Sequence, residues 1–276
     1  MAEIKAADVS KLRKMTGAGM MDCKNALQEA DGDFDKATEI IRKKGKAVAN
    51  KRADREATEG VVLAKTSPDG KQGFMIVLNC ETDFVAKNEN FISFAHSILD
   101  LAAEKQPADL DALKSLSLGG KSVSDAVTEQ IGVIGEKLEV PFYSKLDAAS
   151  VTAYIHPGNM LASMVGLNQK ISNPQIGKDV AMQIAAMNPV SIDKENVTQE
   201  VIDKELEIGR EQARKEGKPE AILEKIAQGK LNKFFKENTL LNQDFVKDNK
   251  KSVIQYLQEV DKELTVTGFI RFGLKD

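Results

Sequence analysis

Tryptophan is absent, and histidine and cysteine occur only twice each in 276 residues. With His96 and His156 alone, a multi-histidine metal site is excluded and bases suited to neutral pH are scarce. Cys23 and Cys80 lie far apart and form no CxxC. They read as small buried apolar residues in a reducing compartment, not as ligands or disulfide partners. No serine stands in a nucleophile-elbow setting, and neither cysteine has a local partner that would lower its pKa. An enzyme in the covalent or acid–base sense is therefore not expected, and neither a cofactor nor a bound metal is implied. Long apolar runs are missing too, so no bilayer-spanning helix is expected. Met1-Ala2-Glu3-Ile4 opens neither a secretory signal nor a transit peptide, which points to a cytoplasmic protein. Charge of one sign is also lacking: 39 basic against 42 acidic residues leave −3. Without a basic field, direct nucleic-acid binding is not expected.

The length is that of about two domains, and with aromatics at 5% the core must be aliphatic. The first 45 residues predict three short helices. Val9, Leu12 and Met15 form a stripe that ends at Thr16-Gly17. Ala26, Leu27 and Ala30 form a second, stopped by Asp31-Gly32. Ala37, Ile40 and Ile41 form a third, stopped near Gly45. Gly17-Ala18-Gly19 lacks the third glycine and the preceding strand of a dinucleotide loop. Residues 46–58 read as a helical linker.

Beyond it the pattern changes to strands. Glu59–Ser67 and Gln72–Cys80 flank a Pro68-Asp69-Gly70 turn, and a helix follows with Phe91, Phe94, Ala95, Ile98 and Ala102 on one face. The unit recurs: Val151–Ile155 and Met160–Leu167 flank His156-Pro157-Gly158-Asn159, and a helix carries Ile176, Val180, Ala181, Ile184 and Ala185. Phe94, Ala95 and Ile98 align with Val180, Ala181 and Ile184, as in an internal duplication. Ala108–Leu116 and Val123–Leu138 predict helices between the copies. Gly119-Gly120-Lys121-Ser122 resembles the end of a phosphate loop, but Ser115 stands where that motif needs glycine, and a helix start after a glycine turn is the simpler reading.

Residues 196–238 are charged and helical. Ile202, Leu206, Gly209 and Ala213 form one narrow seam; Leu223, Ala227, Leu231 and Phe234 form another, with Gly217-Lys218-Pro219 between. Such seams predict an antiparallel coiled-coil hairpin that projects from the body. Ser252–Glu259 reads as a short helix and Thr265–Phe272 as a closing strand. The fold class is α+β: a three-helix module (1–45), a linker (46–58) and a duplicated core with antiparallel strands. The core divides into 59–140 and 141–276, the latter carrying the helical hairpin 196–238.

One stretch stands out. Thr82-Asp83-Phe84-Val85 joins a buried strand to a helix, where an acid and a large aromatic share what should be a loop or short turn. The pair can cap and pack under the next helix. The second copy, however, has Asn168-Gln169-Lys170-Ile171-Ser172 there, so the unit itself does not require Asp-Phe.

Thr16-Gly17-Ala18-Gly19-Met20-Met21-Asp22-Cys23-Lys24 and Asn79-Cys80-Glu81-Thr82-Asp83-Phe84-Val85-Ala86-Lys87 resemble the two signatures of the elongation factor Ts family. The resemblance extends in order over the whole chain, to Val266-Thr267-Gly268-Phe269-Ile270-Arg271-Phe272. It implies a guanine-nucleotide exchange factor for elongation factor Tu, with an N-terminal module like a UBA fold docked on the partner's nucleotide domain. Asp83-Phe84, with Thr82 and Val85, would enter near the partner's magnesium: the phenyl ring wedges between helices, the carboxylate disturbs the ion's shell, and GDP leaves. Arg13, Met20, Met21 and Lys24, then Ile134, Gly135, His156 and Val246, would make further contacts. Two departures are expected to matter. Lys247 replaces an apolar residue, and the sequence stops at Asp276, where a C-terminal docking helix would follow. A protein-binding scaffold or chaperone-like adaptor would share the same outline without speeding GDP release.

Overall fold

The computed structural model describes residues 4–276. It is a mixture of helices and antiparallel sheet, α+β as expected. Among the described residues no helix is long and apolar enough to cross a membrane. The chain divides into two compact units. One comprises the stretch up to Leu63 together with Met75–Ser144; the other comprises Ala64–Phe74 and Lys145–Leu274.

The first unit opens with α1 (Ala6–Thr16), α2 (Met20–Glu29) and α3 (Phe34–Lys51). Gly17 ends α1 in the left-handed region, at φ 71°, and the Asp33 carboxylate accepts the N–H groups of Asp35 and Lys36 to cap α3. Leu12, Cys23, Ala26, Leu27 and Ala37 pack into one small core. Met15, expected on one stripe with Val9 and Leu12, is instead 58% exposed, and Thr16 beside it takes the half-buried place in that turn.

The helix expected to stop near Gly45 runs on to Lys51. Glycine costs roughly 1 kcal/mol inside a helix, a local penalty that packing outweighs. Here Gly45 lies against Gly132 of a later helix.

Next come β1 (Glu59–Thr66), β2 (Gln72–Cys80), a four-residue helix α4 (Asp83–Ala86) and α5 (Glu89–Lys105). Then follow α6 (Leu110–Ser115), β3 (Ser117–Leu118), β4 (Lys121–Ser122), α7 (Val123–Ile134) and β5 (Glu139–Asp147). Phe91, Ala95, Ile98 and Ala102 bury one face of α5. The predicted helix to Leu138 stops at Ile134, where Gly135 turns left-handed at φ 81°. The segment after it is a strand that the sequence reading missed. Its Pro141 breaks the signal, yet Val140 and Tyr143 are buried. Gly119-Gly120 is the turn of the small β3–β4 hairpin, with both glycines at positive φ as a type I′ turn requires.

The second unit contains β6 (Ser150–Ile155), β7 (Leu161–Leu167), α8 (Pro174–Met187), α9 (Gln199–Lys215) and α10 (Glu220–Asn238). It ends with β8 (Asp244–Phe245), β9 (Asp248–Ser252), α11 (Val253–Gln258) and β10 (Val266–Gly273). The two three-stranded sheets have orders β1-β2-β5 and β10-β7-β6. In each, the second strand of a hairpin is central, a helix follows it, and a later strand pairs with its free edge. Val180, Ala181, Ile184, Leu240, Phe245, Leu257 and Val266 form the second core.

The helices α9 and α10 pack antiparallel: Arg210 pairs with Glu224 at 2.8 Å, and Arg214, further along, pairs with the earlier Glu220 at 3.0 Å. A Cβ on Gly209 would lie 3.0 Å from the Ala227 Cα, so glycine permits this approach.

Candidate functional site

The stretch between β2 and α5 is not an irregular loop. Thr82 takes extended backbone and its hydroxyl accepts the Val85 N–H, which caps the single turn α4. None of the four residues of α4 is buried, and Phe84 is 84% exposed. A phenyl side chain in water forgoes roughly 1.5–3 kcal/mol of burial. The alternative in which Phe84 packs beneath α5 therefore fails.

Asp83 is exposed as well, but not free. Lys87, one turn on, donates to its carboxylate at 2.6 Å and holds it below the usual carboxylate range. This pairing was legible as an i,i+4 spacing, yet the sequence reading passed over it.

Polar groups anchor the base of the turn. The Glu136 carboxylate accepts the Glu81 N–H at 3.2 Å, the Thr82 N–H at 3.1 Å and the Thr82 hydroxyl at 2.7 Å. Glu81 answers: its carboxylate accepts the Lys137 N–H at 2.6 Å and the Arg52 guanidinium at 2.8 Å. The Lys137 N–H and then Arg52 hold Glu81 below the usual range, despite the opposing push of burial. Burial, aided by Glu136, pushes the Cys80 thiol up to about 12, so it stays protonated and structural.

The Glu136 contacts bring the Thr82–Val85 turn together with Ile134 and Gly135, which end α7 immediately before Glu136. Elsewhere in this unit Arg13 and Lys24 are exposed, as are Met20 at 46% and Met21 at 64%. In the second unit, His156 and Val246 line one cleft of about 460 Å³ with Tyr154 and Met182. The Tyr154 hydroxyl lies 3.0 Å from His156 Nδ1, and the Val246 N–H donates to Gln183 at 2.8 Å.

Lys247 has a task of its own. Its ammonium meets the buried Asp179 carboxylate at 2.6 Å, and the Tyr256 hydroxyl donates to the same group at 2.9 Å. Burial pushes Asp179 up, but hydrogen bonds from Lys247, Gln175 and Tyr256 prevail and hold it below its ordinary 3.8. Lys247→Met is expected to cost about 1 kcal/mol, the ion pair being half-exposed on the lysine side. Because the folded carboxylate is the stronger acid, this difference is present above pH 3.8 and vanishes as pH falls below it. Denaturant unfolding of both proteins at neutral and acid pH measures it; a constant difference would show that the charge pair is not its source.

The family model described as Elongation factor TS matches residues 81–276. A relative from Porphyromonas gingivalis named elongation factor Ts is 54% identical over 97% of this chain and 97% of its own. One of the same name from Christiangramia forsetii is 52% identical over 99% of this chain and all of its own. A third, from Chloroherpeton thalassium, is 45% identical over the whole chain.

Proposed function

The chain belongs to the elongation factor Ts family, and from that premise we propose that it acts as a guanine-nucleotide exchange factor for elongation factor Tu in translation elongation. The observation that carries the mechanism is Phe84, 84% exposed on a helical turn that buries none of its own residues. A solvated aromatic beside an ionised carboxylate is an anchor waiting for a pocket.

In this reading Phe84 enters between helices of the partner's nucleotide domain, and Asp83 disturbs the shell of the magnesium ion. Magnesium neutralises phosphate charge, so weakening its coordination weakens GDP. Thr82 and Val85 hold the turn, and the chain forms and breaks no covalent bond. The exchange factor must bind the nucleotide-free partner more tightly than the loaded one, a coupling that runs both ways. Moving such an equilibrium from 1:99 to 99:1 takes about 5.5 kcal/mol, whereas burying one phenylalanine supplies roughly 1.5–3 kcal/mol. The remainder is assigned to the exposed Arg13, Met20, Met21 and Lys24 on a UBA-like module, to Ile134 and Gly135, and to the His156–Val246 cleft. The α9–α10 pair, read as a coiled-coil hairpin, is a separate interaction element. The setting is the cytoplasm.

Release of labelled GDP from elongation factor Tu, timed with and without this protein, tests the reading. Acceleration is expected at substoichiometric amounts. Complex formation without acceleration would make the protein a scaffold instead.

A further inference from the structure

None of the four residues of α4 is buried, and Val85 and Ala86 are only half-buried, so its own apolar packing is slight. Docking is shared by contacts elsewhere on the chain, so ordering a mobile turn would weigh on the later step in which Phe84 inserts, and a turn already in its inserted shape avoids that cost. A polar anchor at the base of α4 comes from the end of α7. Glu136 gathers two consecutive backbone N–H groups and the Thr82 hydroxyl, while Glu81 returns a carboxylate to the Lys137 N–H. Thr82 is the pivot: its hydroxyl donates to Glu136 and accepts from Val85, so one side chain links the anchor to the cap of α4. Hydrogen bonds to a charged acceptor are the stronger kind.

We propose that Glu136 is a positioning residue for exchange: through Thr82 it presets the turn that carries Phe84 and couples it to the Ile134–Gly135 end of α7. Glu136 touches no reacting atom; it decides where Phe84 points before the partner arrives. The proposal rests on the reading of Thr82–Val85 as the exchange turn.

The test is the rate of GDP release from elongation factor Tu against concentration, for wild type, Glu136→Ala, Phe84→Ala and the double variant. Glu136→Ala is expected to lower the maximal release rate on the order of tenfold, the loss of a charged hydrogen-bond set, with little change in the half-saturating concentration. The double variant is expected to be no slower than Phe84→Ala alone, because a mispositioned turn without its anchor has nothing left to lose.

A purely structural role predicts otherwise: a lowered folded fraction, effects that multiply with Phe84→Ala, and recovery on adding more protein. That pattern overturns the proposal. So does wild-type exchange by Glu136→Ala where Phe84→Ala is slow, which leaves the functional reading intact. Wild-type exchange by Phe84→Ala refutes the exchange turn itself, and the proposal with it. Should Glu136→Ala fold poorly, Glu136→Gln keeps the shape and removes the charge. It is expected to give a few-fold loss that is again absent in the Phe84→Ala background; a loss that persists there decides against the proposal.

Discussion

Phe84→Ala is expected to slow GDP release from elongation factor Tu by roughly 10- to 100-fold and to leave the melting temperature of the free protein unchanged. The first figure follows from burial: a phenyl ring moved from water into an apolar pocket contributes roughly 1.5–3 kcal/mol, and each 1.36 kcal/mol is about tenfold in rate. The second follows from exposure. At 84% accessibility the ring makes almost no contact in the free protein, so truncation removes nothing that holds the fold. Function and stability rarely separate so cleanly, and the separation makes the variant diagnostic. Stopped-flow release with a fluorescent GDP reads the first quantity and a thermal melt the second. A variant that exchanges at the wild-type rate would remove Phe84 from the mechanism. A large drop in melting temperature would mean that the ring is packed after all.

Gly132→Ala is expected to destabilise the first unit by about 1–3 kcal/mol and to lower its melting temperature by roughly 3–10 °C. A Cβ at this position would lie 2.5 Å from the Gly45 Cα, and a backbone atom cannot rotate away. The helices α3 and α7 would have to part, straining the flanking Arg42–Glu129 ion pair at 2.7 Å. Exchange should suffer too, because α3 carries the small core that seats α1 and α2, and α7 ends at Ile134.

The facing glycine behaves differently. A Cβ on Gly45 would meet the Gly132 Cα and the Thr128 carbonyl oxygen at 3.6 Å, an ordinary contact. Gly45→Ala is therefore expected to be neutral or stabilising by up to about 1 kcal/mol, the usual gain of alanine over glycine in a helix. Melting curves of the two variants decide the matter: equal losses would refute the asymmetric crossing.

Much of this was legible in the residues themselves. Apolar spacing placed α1, α2, α5, α8, α9 and α10. Glycine and proline marked the hairpin turns, and the unmatched Asp83-Phe84 in the first of two similar units singled out the exposed ring. These features are local: a helix face or a tight turn is specified by residues within a few positions of one another. The readings that failed were those in which a distant partner decides. Gly45 reads as a stop, yet α3 continues because Gly132 lies against it. Pro141 hides β5, which exists because β2 offers it an edge. The Lys247–Asp179 ion pair was not read at all, since its partners stand 68 positions apart. Glu136 carries no signature at all; its role appears only when the end of α7 meets the end of β2. Periodicity and turn chemistry determined the elements and the exposed aromatic, whereas close backbone approach and long-range hydrogen bonding, which no local window contains, decided how that aromatic is held.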